Sequence, residues 1–238
     1  MPESDWDRSA EAWIRFVDEG DPNRDVLLDP VMLAAAGDVR GARICDVGCG
    51  EGRFCRKLAR MGASVTGADP TRALIRAAKQ RDPSGEYVRS GAESLPFRSE
   101  SFHLVVSYLN LIDIEDYNLA ICEMARILKP DGALIVANLN GHATASMTGW
   151  TKNDSGEKLY FAIDRYLEPR GVNVSWCGIN VVNYHRPLTD YMNAFLGAGL
   201  RLDFFEEPAY PDEYVRTHPD FNYDNRVPFF VVMRWSKP

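Results

Sequence analysis

The sequence predicts an α/β fold, a doubly wound, seven-stranded, mostly parallel sheet with an N-terminal helical cover and an inserted β-hairpin lid. Three observations carry this. The short apolar run Ile44–Val47 leads into glycines at 48, 50 and 52 and then a helical pattern, which reads as strand, sharp turn and helix. A second short strand closes on Asp69, 23 residues after Asp46, where such a sheet places a carboxylate to accept both hydroxyls of a ribose. Farther on, helical spacing over 117–128 is stopped by Lys129-Pro-Asp-Gly132 and followed by a strand over Ala133–Ala137.

Taken in order, the cover comes first. Trp6, Ala10, Trp13, Ile14 and Val17 recur every three to four residues, an amphipathic helix whose aromatic face must bury either on the core or along a pocket. The loop after the first strand reads Asp46-x-Gly48-x-Gly50-x-Gly52. A dinucleotide fingerprint spaces its glycines G-x-G-x-x-G to seat a pyrophosphate. The acid ahead of the first glycine would repel that anion and favours instead a ligand bearing an ammonium and a sulfonium, with Asp46 orienting the loop. Ser101–Asn110 reads as the fourth strand, its carboxyl end at Ser107 and Tyr108 facing the crevice where open parallel sheets bind ligands. His103 falls near that strand's amino end, a position for a structural histidine.

The run Asp46-Val-Gly-Cys-Gly-Glu-Gly52 answered by Asp69 resembles the class I S-adenosylmethionine-dependent methyltransferases, in particular the small-molecule, ubiquinone/menaquinone-biosynthesis-like methyltransferase domains. The resemblance continues to Ala137. It implies a Rossmann-like transferase that uses S-adenosylmethionine and releases S-adenosylhomocysteine. The implied cofactor set is Asp46, Gly48, Cys49, Gly50, Gly52, Asp69, Pro70, Ser107 and Tyr108, with Ala92 and Glu93 of Arg89–Phe97 meeting the adenine. His103 departs from the family, which usually has Asp there. In similar enzymes an N-terminal helix folds over the cofactor, which makes Trp6 and Trp13 candidate walls of the substrate pocket.

Substrate choice is expected in the second half. The core over 41–140 gives way to an insertion over 141–183, and 184–238 holds the last helix and an antiparallel strand pair; with the cover over 1–40 the chain reads as one domain. Lys158–Asp164 and Val172–Asn180 read as the two strands of a hairpin lid joined through Glu168-Pro-Arg-Gly171, with Tyr160 and Trp176 as its apolar floor. Asn110 and Asn140, at strand ends, complete the expected pocket. The last helix is expected to be capped by Thr189 and ended by glycine, with strands over 200–206 and 228–235 following. The connection Glu207–Val227 is long and aromatic, with Tyr210, Tyr214, Phe221 and Tyr223, and is expected to contact a pocket or interface.

A sulfonium is already an activated donor, so the chemistry asks mainly for alignment in a dry pocket. A base is needed only for a hydroxyl or a protonated amine. His142 and His185 are the candidates, with Asp113 ranked below them because it can simply begin the next helix. Ser-Tyr-Leu-Asn110 stands where amino-group methylators of nucleobases carry Asn-Pro-Pro-Tyr, which disfavours an adenine acceptor.

Composition narrows the class. The 238 residues are 45% hydrophobic with net charge −7, and Lys plus Arg number 27 against 34 Asp plus Glu, so the basic face of a nucleic-acid enzyme is not expected. No apolar run approaches the roughly 20 residues of a membrane span. The acidic N-terminus lacks an export signal and the five cysteines, spaced unlike a zinc site, read as reduced thiols, so a cytoplasmic protein without a metal is expected. The resulting expectation is methyl transfer to a small molecule, oxygen slightly preferred over nitrogen or carbon; a homodimer stays open. A tRNA or protein methyltransferase and a non-catalytic cofactor-binding regulatory module are the alternatives. A nicotinamide oxidoreductase is disfavoured by the glycine spacing and the missing Tyr-x-x-x-Lys pair.

Overall fold

The computed structural model describes residues 4–146 and 148–238; the first three residues of the expected cover and position 147 of the expected insertion lie outside the described residues. β1 (Arg43–Val47) is buried on both faces, as a central parallel strand of Ile, Cys and Val must be. It pairs in parallel with β2 (Ser64–Asp69) and with β4 (Phe102–Tyr108), β3 (Glu86–Arg89) flanks β2, and β5 (Leu128–Leu139) flanks β4. At the far edge β11 (Phe230–Ser236) runs antiparallel to both β5 and β10 (Arg201–Glu206). The seven strands lie in the order β10-β11-β5-β4-β1-β2-β3. The order reverses between β1 and β4, which opens a crevice above their carboxyl ends.

Strand alternation supplies two cores. Cys45, Val105, Leu134 and Val136 face α5 (Tyr117–Ile127) and α7 (Leu188–Gly197), where Phe195 stacks on Trp235 at 4.7 Å between centroids. Ile44, Val106 and Ile135 face the other way, onto Met32 of α2 (Asp29–Ala36) and Phe54 and Leu58 of α3 (Arg53–Arg60). Each fully buried side chain of this size contributes roughly 1.5–3 kcal/mol.

The cover is α1 (Asp5–Glu19), started by a capping box between Ser4 and Asp7. It lies beside α4 (Arg72–Arg81): Arg72 N donates to Asp7 Oδ1 at 3.1 Å, and Arg81 pairs with Asp18 at 2.8 Å. A π-helical segment, Asn23–Leu28, links it to α2.

The insertion corrects the sequence reading. Two hairpins stand where one was expected: β6 (Trp150–Lys152) pairs with β7 (Lys158–Phe161), and β8 (Arg170–Trp176) with β9 (Ile179–His185). The stretch read as one strand over 172–180 is broken by Cys177 and Gly178, with φ of 47° and 80°, a two-residue turn of the primed kind. Its Cys hides the turn, because Asn or Asp is the usual occupant. Ala12 of α1 packs with Ile179 and Val181 of β9, joined by Trp6, Trp13 and Trp176. The last helix is also set differently: Pro187 is its N-cap and Thr189 lies inside it.

The segment 207–227 folds into short helices, Asp212–Thr217 and Asn222–Arg226. Tyr210, buried in the α2-side core, packs against Phe221 at 4.6 Å and donates from its hydroxyl to Asn23 Oδ1 at 2.7 Å.

Candidate active site

The glycine loop sits at the carboxyl end of β1. Gly48, Gly50 and Gly52 have φ of 73°, 56° and 81°, a left-handed run that side chains disfavour. The amides of Gly48 and Cys49 both donate to Ala68 O, at 2.7 and 3.1 Å, tying the loop to β2. Asp69, buried at the end of β2, accepts from Gly50 N at 2.9 Å and from Thr71 N at 2.8 Å. Burial pushes its carboxyl up even so, against the pull of those amides. Asp46 is 1% exposed beneath the loop. Its Oδ2 accepts from Cys55 Sγ at 3.2 Å, Oδ1 has no partner among the described residues, and burial pushes it up to about 7.

A recess opens beside the loop, lined among others by Trp13, Arg24, Asp46, Gly48, Gly50 and Tyr108. Trp13 closes it from α1. Its Nε1, buried and unpartnered among the described residues, lies 3.4 Å from where a Cβ on Gly50 would stand. Arg24 stacks on the Trp13 ring at 4.6 Å and lies 5.8 Å from that of Tyr108, while ion-paired to Asp21. Tyr108 donates its hydroxyl to Asp29 Oδ1 at 2.8 Å, so it walls the recess on the α2 side. Ser107 bonds Asn110, whose amide donates to Val47 O, pinning the end of β4 to that of β1.

On the other side of Asp69, Ser90 N donates to Asp69 O at 3.1 Å, which brings buried Ala92 and partly buried Glu93 to the neighbouring strand end. Pro70 is exposed and its carbonyl accepts from Arg89 Nε at 2.9 Å. Across the crevice, Asp113 follows β4 on a 3₁₀ turn, Leu111–Asp113. It accepts from Asn183 Nδ2 of β9 at 2.6 Å and from the Trp6 indole. Burial pushes it up to about 8, and the Asp69 charge adds to that while Arg24 opposes it.

Several expected site residues do not converge here. His185 is 1% exposed, with Nδ1 bonded to Thr144 Oγ1 and Nε2 to Tyr166 O, both at 2.8 Å, so no ring nitrogen is left for a substrate. His142 has Nε2 2.7 Å from Pro228 O and opens onto a second depression with Trp150, Tyr160 and Arg226. Tyr160 is 60% exposed there, whereas Trp176 packs with α1, so the two do not form one floor. Asn140 is buried against Glu207. Trp13 lines the recess, and Trp6 packs edge to face on it at 5.5 Å. His103 is structural: Nδ1 accepts from Arg43 N at 2.9 Å and Nε2 lies 2.9 Å from Lys129 Nζ. Arg24 was not legible as a site residue, because only the turn of the π-helical segment aims it at the loop.

The residues fit a cationic nucleoside. Buried acids at 46, 69 and 113, one with an unpartnered oxygen, surround backbone that glycines leave open, and Arg24 offers a guanidinium for a carboxylate. A family profile described as a methyltransferase domain matches residues 45–136. Residues 45–136 thus match a methyltransferase domain, and the chain has the fold of class I S-adenosylmethionine-dependent methyltransferases. The methyltransferase core is 36% identical over 116 residues to the ubiquinone biosynthesis O-methyltransferase of Bartonella tribocorum, covering 47% of this chain and 46% of that one. It is 31% identical over 110 residues to the demethylmenaquinone methyltransferase of Renibacterium salmoninarum, covering 46% of each. The chain thus spans about half the length of the curated relatives it matches. An S-adenosylmethionine-dependent methyltransferase from Mesorhizobium loti superposes with a TM-score of 0.81 at 27% identity, over 92% of this chain and 99% of that one. No described helix is long and apolar enough to cross a membrane.

Proposed function

We propose that the protein transfers a methyl group from S-adenosylmethionine to the oxygen of a small-molecule acceptor, leaving S-adenosylhomocysteine. The observation that supports this best is the recess beside the glycine loop, lined by Trp13 of α1, Arg24 and buried Asp46, with buried Asp69 bonded to the same loop. When bound, S-adenosylmethionine supplies a methyl group on positively charged sulfur. The chain's part is to hold, align and dry. Asp69 accepts the ribose hydroxyls, the loop over 48–52 lets the backbone approach, and Ala92 and Glu93 border the adenine. Asp46 draws the ammonium and Arg24 the carboxylate of the amino-acid end. Trp6 and Trp13 exclude water. Cover, core, insertion and final segment act in this reading as one cytoplasmic unit.

A small acceptor is favoured because α1 and β9 are clasped over the crevice: Ser9 Oγ donates to Asn180 O at 3.1 Å and accepts from Asn180 N at 3.0 Å. The acidic balance of −7 works against an RNA substrate. The O-methyltransferase name of the Bartonella relative supports oxygen. The test is incubation with methyl-labelled S-adenosylmethionine and extract split into small-molecule, RNA and protein fractions. Label among small molecules supports the proposal; label in RNA or protein, or none despite bound cofactor, overturns it in favour of a macromolecular or regulatory role.

A further inference from the structure

Asp113 is the one acid of the crevice that neither the glycine loop nor the ribose position uses. Three separate parts of the chain converge on it. Asn183 donates to its Oδ1 from β9 at 2.6 Å, the Trp6 indole donates from α1, and its own amide donates to Asn110 O at 2.9 Å. The turn that carries it is clamped from below by Arg186, 5% exposed, whose guanidinium donates to Leu111 O, Ile114 O and Glu115 O at 3.2, 2.6 and 2.9 Å. A carboxyl so fixed does not swing away.

The charged groups that face it are few. Asp69 from β2 opposes its ionisation, and Arg24 from the π-helical segment favours it; Asp7 of α1 acts in turn on Asp69. Arg186 donates to three carbonyls and to the Tyr191 hydroxyl. Burial above all, with the Asp69 charge adding to it and Asn183, Trp6 and Arg24 opposing it, pushes the Asp113 carboxyl up to about 8. A positive charge entering the crevice changes this balance, and a neutral ligand of the same shape does not.

We infer that Asp113 gives up its proton when a sulfonium-bearing ligand fills the crevice and takes a proton back from the acceptor hydroxyl as that charge disappears. The inference rests on the proposed function. In balance, a lone pair of the acceptor oxygen forms the new O–C bond, the S–C pair stays on sulfur, and the hydroxyl proton passes to a carboxylate oxygen of Asp113. The reacting groups are then a neutral thioether, a methyl ether and a neutral acid, with no new charge created among them. His185 has both ring nitrogens engaged by Thr144 and Tyr166, and His142 opens onto the second depression instead.

The experiment is titration calorimetry of the full chain with S-adenosylmethionine and with S-adenosylhomocysteine, in phosphate and in Tris at about pH 7.5, which separates released protons from intrinsic heat. The expected result is about half a proton or more released with the sulfonium beyond any released with the thioether, because burial pushes Asp113 up to about 8 in the free chain. In Asp113→Asn this difference should vanish, with circular dichroism confirming the fold. Asn183→Ala keeps the carboxyl but removes a donor that favours its ionised form, so the difference should move to higher pH. Equal release for both ligands, or a difference that survives in Asp113→Asn or stays in place in Asn183→Ala, overturns the inference while the methyltransferase reading stands. Failure of the unaltered chain to bind S-adenosylmethionine overturns both.

Discussion

A Cβ added to Gly48 would fall 2.6 Å from the Cβ of Asn110, closer than real side chains come. The glycine loop and the end of β4 are therefore in contact through backbone on one side and a fixed asparagine on the other. Gly48→Ala combines that clash with a φ of 73°. It should cost roughly 1–3 kcal/mol of stability. Thermal melts should show the loss and calorimetry a cofactor affinity reduced by more than the stability change alone explains; a variant that melts and binds like the parent would remove Gly48 from the site.

Asp69→Ala leaves the amides of Gly50 and Thr71 without their acceptor. The penalty of roughly 1–3 kcal/mol for such groups is bearable for a domain of ordinary stability, so the variant should fold. Its affinity for S-adenosylhomocysteine should fall at least roughly tenfold through the lost ribose bonds. An unchanged dissociation constant in calorimetry would sink the ribose assignment.

Burial pushes Asp46 up to about 7 from its ordinary 3.8, so the folded chain binds this proton more tightly than the unfolded chain does. The stabilisation is complete below the unfolded value and is lost as pH rises through about 7. Ligand-free Asp46→Asn should accordingly match the parent near pH 4 and exceed it near pH 8, by on the order of 2–4 kcal/mol. Urea unfolding at both pH values checks this, and an equal gap at both would contradict it.

Trp13 carries a buried indole N–H with no partner among the described residues. Trp13→Phe keeps the ring face against Trp6 and Arg24 but deletes the unpaired donor, so the ligand-free chain should gain about 1 kcal/mol. If the indole donates to the cofactor, binding should weaken by roughly tenfold at the same time. Both changes in the same direction would show that the indole plays no part in binding.

Cys177 occupies the first position of a primed turn with φ of 47°. Asn suits that geometry better, and Cys177→Asn should raise stability by roughly 0.5–1 kcal/mol with no effect on cofactor affinity. A lowered melting temperature would mean that the exposed thiol makes a contact the turn geometry does not reveal.

The parts legible in the sequence are those whose chemistry is local. Glycines at 48, 50 and 52 act through their own backbone and the acid at 69 through bonds to nearby amides, so their spacing foretells strand, turn and ligand class. The surroundings of His142 and His185 are not legible in the sequence, because a histidine's role is fixed by what its nitrogens reach, and Tyr166 and Pro228 are far along the chain. The surroundings of Asp113 are hidden for the same reason. Its environment is assembled from Trp6 and Asn183, one on each side of the core in sequence. The hairpin was mis-registered because Cys177 is not a residue that announces a turn.

The reciprocal bonds between Ser9 and Asn180 tie the N-terminal helix to the β8–β9 hairpin, so that the two would have to move together. In the proposed reaction, if this tie opens to exchange the donor, it unroofs the acceptor as well, and the two exchanges share one opening event. Turnover would then be paced by that opening, and rapid mixing would show a first methylation faster than every one after it. A steady rate from the first turnover would place the slow step in the chemistry instead.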